Sequence, residues 1–334
     1  MSILVKQTDI AVQMAAFGAE WLPAELLSRH TSLGVGGPAD LVRLRDSRRL
    51  GELLDYFRRY GVRWRLLGGG SNLLVADEGL DDVVIQLVRE RDGLKFDGRR
   101  VEVSTAANLG TTVMECAKRH LGGMEGLIGV PGTLGGALHM NAGAYGTEIS
   151  DVVRALTVFH GASGQLEVLR TAEVRFEYRG SGFAPDDILL SVTLELTEKP
   201  YAEILERVKQ CNQKRRASQP INEKSAGCIF KNPPGLSTGR MIDELGLKGT
   251  RIGGAVISER HANFIVNRYS ATAADILKLM DLIRERVLNA FGVELHEEVI
   301  VWRNPSRAFE GPLTSSPSSP GERVARKGRV RDER

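Results

Sequence analysis

The thiol of Cys228 is the first group in this chain whose type and setting suggest chemistry. It lies in SAGCIFKNP, after a small, flexible run and before an apolar pair, Lys231 and Asn232. An ordinary thiol has a pKa of about 8.5, so near neutral pH it holds a proton that it can still release. A cysteine in such a setting is just as often a small buried hydrophobic residue. The sequence alone leaves open whether Cys228 is a proton donor or a packing residue.

The other two cysteines, Cys116 and Cys211, fall inside helical patterns, where a buried thiol is the ordinary occurrence. The three cysteines are far apart and form no CxxC pair, and the six histidines show no HExxH spacing. We therefore expect free thiols, no disulfide framework and no metal site.

Arginines could hold an acidic ligand at two places. Arg179 follows Tyr178 in RFEYRGSGF, where its planar guanidinium can bind a carboxylate through two hydrogen bonds or form a surface ion pair. Arg215 and Arg216 precede the cysteine segment and, with its lysine and asparagine, could hold a phosphorylated or carboxylated ligand. Basic residues at the end of a helix are equally explained by the helix dipole.

A pair of glutamates, Glu297 and Glu298, opens the last apolar stretch, HEEVIVW. Neighbouring residues of a strand point to opposite faces, so only one of the two carboxylates can enter a given site. The strand pattern does not select between them.

Two glycine-rich loops are the strongest binding signal. One is GGGSN at residues 68–72, and the other spans residues 126–146 and contains Asn141 and Tyr145. Neither has the GxGxxG or GK[ST] spacing of the common nucleotide motifs. Glycines still let consecutive N–H groups turn toward an anion and let the backbone approach a flat ligand, so two loops suit a diphosphate joined to a planar ring. The shorter loop alone also fits a tight turn, and the longer one holds too many glycines for a regular element.

Periodicity predicts the elements that must position these residues. Apolar residues at helical spacing, with glycine stops, predict helices, and short β-rich runs predict strands. The predicted helices are 47–60, 109–120, 202–215 and one between Thr272 and Gly292, and the predicted strands are 63–67, 83–87, 101–104, 153–159, 166–169, 188–196, 255–257, 264–266 and HEEVIVW.

The chain is predicted to be α+β, with mixed domains at residues 1–88 and 89–200, a smaller domain at 201–303 and a disordered basic tail at 304–334. The 334 residues are 42% hydrophobic, enough for a sizeable core, and no stretch is long and apolar enough to suggest a signal or a membrane span. The net charge of +3 equals the excess of six basic over three acidic residues in 311–334. We therefore expect a cytoplasmic protein that binds neither nucleic acid nor membrane.

Five segments, GGGSNLLVADEG, IGVPGTLGGALHMNAGAYG, FEYRGSGF, SAGCIFKNP and HEEVIVW, follow one another in this order over about residues 30–303. Together they resemble the UDP-N-acetylenolpyruvoylglucosamine reductases of peptidoglycan synthesis. The resemblance implies an α+β fold with a two-domain FAD-binding module of the vanillyl-alcohol oxidase type, followed by a smaller substrate-binding domain. It also implies FAD as cofactor, NADPH as co-substrate and a monomeric enzyme.

The resemblance also implies roles for individual residues. Arg179 would polarise the substrate carboxylate, Cys228 would donate a proton and Glu298 would stabilise the intermediate, with Glu297 as the alternative. The implied FAD-binding residues are Gly68, Gly69, Gly70, Ser71, Asn72, Gly129, Pro131, Gly132, Gly135, Gly136 and Asn141. The implied substrate-binding residues are Tyr145, Tyr178, Arg216, Lys231 and Asn232.

The implied reaction has two half-reactions in one site: NADPH reduces the flavin, and the enolpyruvyl ether of the UDP-sugar then accepts the hydride and a proton. Two departures from the family pattern stand out. The chain lacks room for a tyrosine-bearing insertion before the cysteine motif, so it resembles the shorter branch, and Glu297 occupies a position that is usually proline. The rival interpretations are an oxidase on the same fold and a binding protein that uses the basic tail.

Overall fold

The first part of the molecule, residues 7–88, contains a helix with the apolar stripe that the sequence predicts. The structure is a computed structural model that describes residues 7–88 and 93–304, with the backbone alone for 7–9. Leu50, Leu53, Leu54 and Phe57 are buried on helix α2. The elements of this part are α1 (Gln7–Ala16), β1 (Ala19–Leu26), β2 (Pro38–Leu44), α2 (Leu50–Arg59), β3 (Trp64–Leu67), β4 (Leu73–Val75) and β5 (Val83–Leu87).

Four of these strands form a sheet in the order β1-β2-β5-β3. The pair β1 and β2 is antiparallel, whereas β5 lies parallel to both β2 and β3. Strand β3 runs directly into the first glycine loop, so the sheet carries that loop at the end of one of its strands.

The second part contains a five-stranded antiparallel sheet in the order β12-β11-β15-β7-β6. Its elements are β6 (Leu94–Asp97), β7 (Arg100–Ser104), α3 (Leu109–Ala117), β8 (Leu121–Gly122), α4 (Leu134–His139), β9 (Gly143–Ala144), β10 (Thr147–Glu148), β11 (Val153–His160), β12 (Gln165–Arg170), β13 (Phe176–Glu177), β14 (Gly180–Ser181), β15 (Asp187–Glu195), β16 (Thr197–Glu198) and α5 (Tyr201–Ser218).

Helix α4 corrects one prediction, because residues 126–146 were expected to contain no regular element. The helix begins after Thr133, whose side chain accepts a hydrogen bond from the backbone N–H of Gly136 at 3.4 Å. Its residues Leu134 and Leu138 are fully buried. Capping and burial of the leucines therefore outweigh the low helix propensity of the glycines.

The third part is a four-stranded antiparallel sheet, β17-β20-β19-β18, covered by a long helix. Its elements are β17 (Ser225–Cys228), α6 (Thr238–Glu244), β18 (Arg251–Ile252), β19 (Ala255–Ile257), β20 (Phe264–Asn267), α7 (Ala273–Phe291) and β21 (Ile300–Trp302). Thr272 caps α7 and Gly292 ends it in the left-handed conformation, which confirms both predicted boundaries.

The last strand returns the chain to its first part. Strand β21 covers only Ile300–Trp302, which is shorter than the predicted HEEVIVW strand, and pairs in parallel with β4. The segment just before it, which contains both glutamates, is held by individual contacts instead of a regular ladder.

The domain boundaries stay a prediction, because buried clusters join residues of different predicted domains: Leu33, Val35 and Leu74 pack with the third, and Phe159 and Ile188 with the first. Helix α5 was predicted to open the third domain, but its buried residues Ile204, Val208 and Cys211 pack in the core of the second part. Asn304, predicted as the first residue of the tail, is buried and accepts a hydrogen bond from the N–H of Asp81 at 2.9 Å. The rest of the predicted disordered tail lies outside the described residues.

Within residues 7–88 and 93–304, every helix is too short or too polar to cross a bilayer.

Candidate active site

A cavity of about 1290 Å³ lies where the three parts of the fold meet. Pockets for drug-sized ligands have volumes of about 300–1,000 Å³, so this one can accommodate a ligand as large as a dinucleotide. Its walls include both glycine loops and all three residues with a predicted catalytic role. The predicted site residues that line it are Gly68, Gly69, Gly70, Ser71, Asn72, Gly129, Pro131, Gly132, Gly135, Gly136, Tyr145, Arg179, Cys228 and Glu298.

The two glycine loops contact each other in one wall of the cavity. A Cβ atom on Gly69 would lie 2.6 Å from the Cα of Gly132, closer than such atoms pack. The hydroxyl of Ser71 crosses from one loop to the other and donates to the carbonyl of Pro131 at 2.9 Å. Gly70 has φ +60°, which a side chain would disfavour. Gly69 therefore has a packing role that a tight turn alone would not require, because it contacts the second loop.

Asn72 joins the first loop to the segment that carries Glu298. Its side-chain Nδ2 donates to the carbonyl of Glu298 at 2.9 Å, and its own carbonyl accepts from the N–H of Ile300 at 3.0 Å. In addition to lining the cavity, Asn72 therefore fixes the position of the acidic residue.

Arg179 and Glu298 form an ion pair in the cavity wall. Arg179 Nε lies 2.9 Å from Glu298 Oε1, and Arg179 Nη2 donates to the carbonyl of Gly143 at 3.1 Å. Arg179 has φ +56°, an uncommon backbone conformation for a residue other than glycine. Among the described residues no other partner binds its remaining N–H groups, so the guanidinium can still bind a ligand carboxylate.

The pKa of the Glu298 carboxyl is raised by burial, although Arg179 and Lys231 both act to lower it. Its side chain is 15% exposed. Removal from water therefore outweighs the nearby positive charges, and the group holds a proton to higher pH than an ordinary glutamate.

Cys228 ends strand β17, where a register shift between Ser225 and Cys228 interrupts the pairing with β20. Gly227 makes this shift possible with φ +81°. Burial raises the pKa of the Cys228 thiol to about 12, with a further contribution from the nearby Glu298 carboxylate. The thiol is thus protonated throughout the physiological range. The sequence alone suggested an ordinary thiol pKa, and burial has raised it. A thiol with a raised pKa gives its proton only to a strong base.

Glu297 lies on the opposite side of the segment from Glu298. It forms an ion pair with Arg284 of helix α7 and does not line the cavity. The structure therefore selects Glu298 as the carboxylate of the site, in accord with the predicted alternation.

Arg215 lines the cavity, whereas the predicted Arg216 does not. Nη1 of Arg215 donates to the carbonyl of Gly129, and its buried Nε has no hydrogen-bond partner among the described residues. Arg216 lies on another face of α5, and its carbonyl accepts from Arg260 at 2.8 Å. Helical spacing could have distinguished the two arginines in the sequence. Arg215 continues the buried stripe of Val208 and Cys211, and Arg216 does not.

Asn141, predicted to contact FAD, and Tyr178, predicted to contact the substrate, do not line the cavity. Asn141 is 2% exposed, and its amide bonds to Glu148 and to the carbonyl of Glu177 occupy its donor group. Tyr178 is 49% exposed and lies against the guanidinium of Arg179, with 5.1 Å from ring centre to Cζ. Both residues thus support the hairpin that presents Arg179.

Lys231 and Asn232 do not line the cavity. The N–H of Lys231 donates to the carbonyl of His296 at 2.9 Å, and Oδ1 of Asn232 accepts from the N–H of Thr238 at 3.0 Å. Their contact with a substrate stays a prediction. Tyr145 is in the wall, and its carbonyl accepts from Arg207 at 2.9 Å.

Comparison with known proteins gives two family models along the chain. Residues 38–170 match the model of an FAD binding domain, and residues 219–302 match the C-terminal domain of UDP-N-acetylenolpyruvoylglucosamine reductase. The second match begins after α5, in agreement with the packing of that helix in the second part.

Curated relatives match over most of their length. The UDP-N-acetylenolpyruvoylglucosamine reductase of Moorella thermoacetica is 41% identical over 84% of this chain and 93% of its own, and reductase 2 of Symbiobacterium thermophilum is 42% identical over 84% and 92%. The crystal structure of the reductase from Thermus caldophilus is 41% identical, with a TM-score of 0.74 over 85% of this chain and 100% of its own.

Proposed function

The chain belongs to the UDP-N-acetylenolpyruvoylglucosamine reductase family, and we propose that it catalyses the NADPH-dependent reduction of the enolpyruvyl ether of UDP-N-acetylglucosamine to UDP-N-acetylmuramate. The observation that carries the proposal is the meeting of Arg179, Cys228 and Glu298 in one cavity with both glycine loops. A carboxylate clamp, a protonated thiol and a dinucleotide-sized cavity are the parts that this reaction needs.

The cavity fits FAD on three features of the described residues. Its volume of about 1290 Å³ accommodates a dinucleotide. Gly69, Gly70 and Gly132 line the wall, and Gly70 and Gly132 hold positive φ angles that can turn backbone N–H groups toward a diphosphate. Arg215 also lines the cavity, so its guanidinium can pair with an anion there.

The residues that would hold FAD are therefore Gly68, Gly69, Gly70, Ser71, Asn72, Gly129, Pro131, Gly132, Gly135, Gly136 and Arg215. Bound FAD supplies hydride chemistry, accepting hydride from NADPH and passing it to the substrate.

Arg179 would bind the substrate carboxylate. The guanidinium is already fixed by Gly143 and Glu298, so little side-chain entropy is lost when the carboxylate arrives. As hydride adds to C3 of the enolpyruvyl group, negative charge builds on C2 and the adjoining carboxylate, and a preorganised cation stabilises it. Deletion of a single such group typically costs about 3–4 kcal/mol of transition-state stabilisation.

Cys228 would deliver the proton that completes the reduction. Its high pKa keeps the thiol protonated until a strongly basic carbon forms beside it. Glu298, whose pKa burial raises, would share a proton with the developing carboxylate or restrain Arg179 through their ion pair. Tyr145, Lys231 and Asn232 are the remaining candidates for substrate contact.

We further propose that the enzyme acts as a monomer in the cytoplasm. The cavity is built by residues of a single chain, so no second copy is needed to complete it. Light scattering after size-exclusion chromatography measures the state in solution.

Product analysis tests the proposed reaction. Incubation with NADPH and the enolpyruvyl UDP-sugar should yield a product heavier by two hydrogens, with one NADPH consumed per product, and the purified protein should carry FAD. NADPH consumption that requires oxygen and leaves the sugar unchanged would support the oxidase alternative instead.

A further inference from the structure

Glu297 and Glu298 are adjacent and identical, so the register of their segment decides which carboxylate enters the cavity. Glu298 enters the cavity and Glu297 points away from it, so a shift of the segment by one residue would exchange them. The regular pairing of β21 begins only at Ile300, so the glutamate segment is held by its bridge with Phe230 and by the burial of Val299. Because both side chains are the same, Arg179 alone discriminates poorly between the two registers.

The backbone hydrogen bonds of residues 296–298 do not distinguish the two glutamates either. Lys231 N–H donates to the carbonyl of His296 at 2.9 Å, and Glu298 N–H donates to the carbonyl of Ile229 at 2.8 Å. Asn72 also contacts only the backbone of the segment, through the carbonyl of Glu298. Every residue offers these groups, so the bonds alone do not select the register, which the burial of Val299 also favours.

Arg284 is the group that distinguishes the two glutamates. Its Nη2 donates to Oε1 of Glu297, and its Nη1 donates to Asp281 at 2.7 Å. The guanidinium lies over the ring of Phe230, with 5.4 Å from Cζ to the ring centre. Phe230 is fully buried and forms an isolated β-bridge with Glu297. Asp281 and Phe230 therefore hold the Arg284 guanidinium independently of its contact with Glu297.

We propose that Arg284 is a positioning residue that keeps Glu298 in the cavity by holding Glu297 outside it. What Glu298 does in the cavity rests on the proposed function, whereas the selection of the register does not. Removing the Arg284 charge frees Glu297 to compete for Arg179. Removing Glu297 as well eliminates the competitor, so the segment should return to the native register.

The test measures the two half-reactions separately in anaerobic stopped flow, for the wild-type holoenzyme and for Arg284→Met, Glu297→Gln and the double variant. Methionine retains an apolar stem over Phe230. Flavin reduction by NADPH should stay within about twofold of wild type in all three. Flavin reoxidation by the enolpyruvyl sugar should slow about tenfold in Arg284→Met, because small misplacements of catalytic groups are costly. It should recover to within about twofold in the double variant. Arg240→Met, which breaks an exposed pair with Glu244, is the control.

Glu297→Gln alone separates register selection from general support. Register selection predicts near-wild-type reoxidation, because one glutamate remains, whereas a merely structural ion pair predicts the same loss as in Arg284→Met. Equal slowing of both half-reactions, or a double variant as slow as Arg284→Met, would overturn the proposal. A wild-type enzyme that fails either half-reaction would instead contradict the proposed function.

A crystal structure of Arg284→Met provides a readout that does not depend on activity. The proposal predicts that Glu298 no longer occupies its place beside Arg179 Nε in all molecules. Full retention of that contact would overturn it. If Arg284→Met does not fold, Glu297→Gln with the same stopped-flow measurement decides between the two outcomes described for it.

Discussion

At the scale of single residues, the site depends on side chains whose chemistry the fold has altered. Burial and the Glu298 carboxylate raise the pKa of the Cys228 thiol to about 12, and burial raises the pKa of Glu298. Arg179 is held by two protein contacts in an uncommon backbone conformation. The three residue types and their order were readable from sequence, but these pKa changes require the burial that only the fold provides.

Cys228→Ala should separate the two half-reactions. Reduction of the flavin by NADPH needs no thiol proton and should stay within about twofold of wild type. Reoxidation by the enolpyruvyl sugar should slow roughly 100-fold or more, since a positioned general acid contributes at least that much. Cys228→Ser, which keeps a proton on a smaller group, is the matched control and should lose less. Stopped-flow absorbance measures both rates, and equal loss in both would make Cys228 a structural residue.

Glu298→Gln should change how stability depends on pH. The raised pKa of Glu298 means that its contribution to stability is complete below its unfolded pKa of about 4.3 and is lost as pH rises through the higher folded value. Glutamine does not titrate. The free energy of unfolding of the variant, relative to wild type, should therefore increase between pH 4 and pH 8.

Urea unfolding at the two pH values measures this change. Glu198→Gln, an exposed glutamate outside the cavity, is the control and should give a smaller change. A relative stability of Glu298→Gln that decreased with rising pH would mean that the ion pair with Arg179 outweighs burial.

At the scale of elements, the glycine loops form the cavity wall through contact with each other. Ser71 bonds across to Pro131, and Gly69 packs against Gly132. Sequence predicted that both loops serve one ligand, but it treated the longer one as irregular throughout. The short helix α4 was missed because its cap and its buried leucines act against the glycine composition.

Gly69→Ala should damage cofactor binding through this packing. The added Cβ would lie 2.6 Å from the Cα of Gly132, so the loops must separate. We expect a loss of roughly 1–3 kcal/mol in stability and a weaker hold on FAD. Gly110→Ala is the control, because its Cβ would meet only Asn108 Oδ1, at 3.5 Å, in helix α3 outside the cavity.

Flavin content after purification and thermal unfolding measure the effect of Gly69→Ala. An alanine variant with full FAD content and unchanged melting temperature would show that the loop contact is not required.

Helical periodicity accounts for both the success and the failure of the element-scale predictions. The stripe on α7, with its Thr272 cap and Gly292 stop, was predicted correctly because tertiary packing and local signals agree. On α5 the same period assigns Arg215 to the buried face, whereas the resemblance implied Arg216. The two side chains point in different directions, since one residue along a helix changes direction by about 100°.

At the scale of the whole molecule, the site exists only where three parts of the chain meet. Cys228 comes from the third part, Arg179 from the second, and the segment carrying Glu298 is tied to the first through Asn72 and the pairing of β21 with β4. Such long-range contacts leave no periodic signal in sequence. The fold class and the order of motifs were predictable, whereas the exclusion of Asn141 and Tyr178 from the cavity was not.

The central claim is that one cavity performs both half-reactions, and one anaerobic experiment tests it most directly. The flavin absorbance of the purified protein is followed while NADPH and then the enolpyruvyl UDP-sugar are added in turn. We expect the flavin absorbance to bleach when NADPH is added and to recover when the sugar is added, without oxygen. A bleached flavin that ignores the sugar and recovers only with air, or a protein that takes up no FAD, would contradict it.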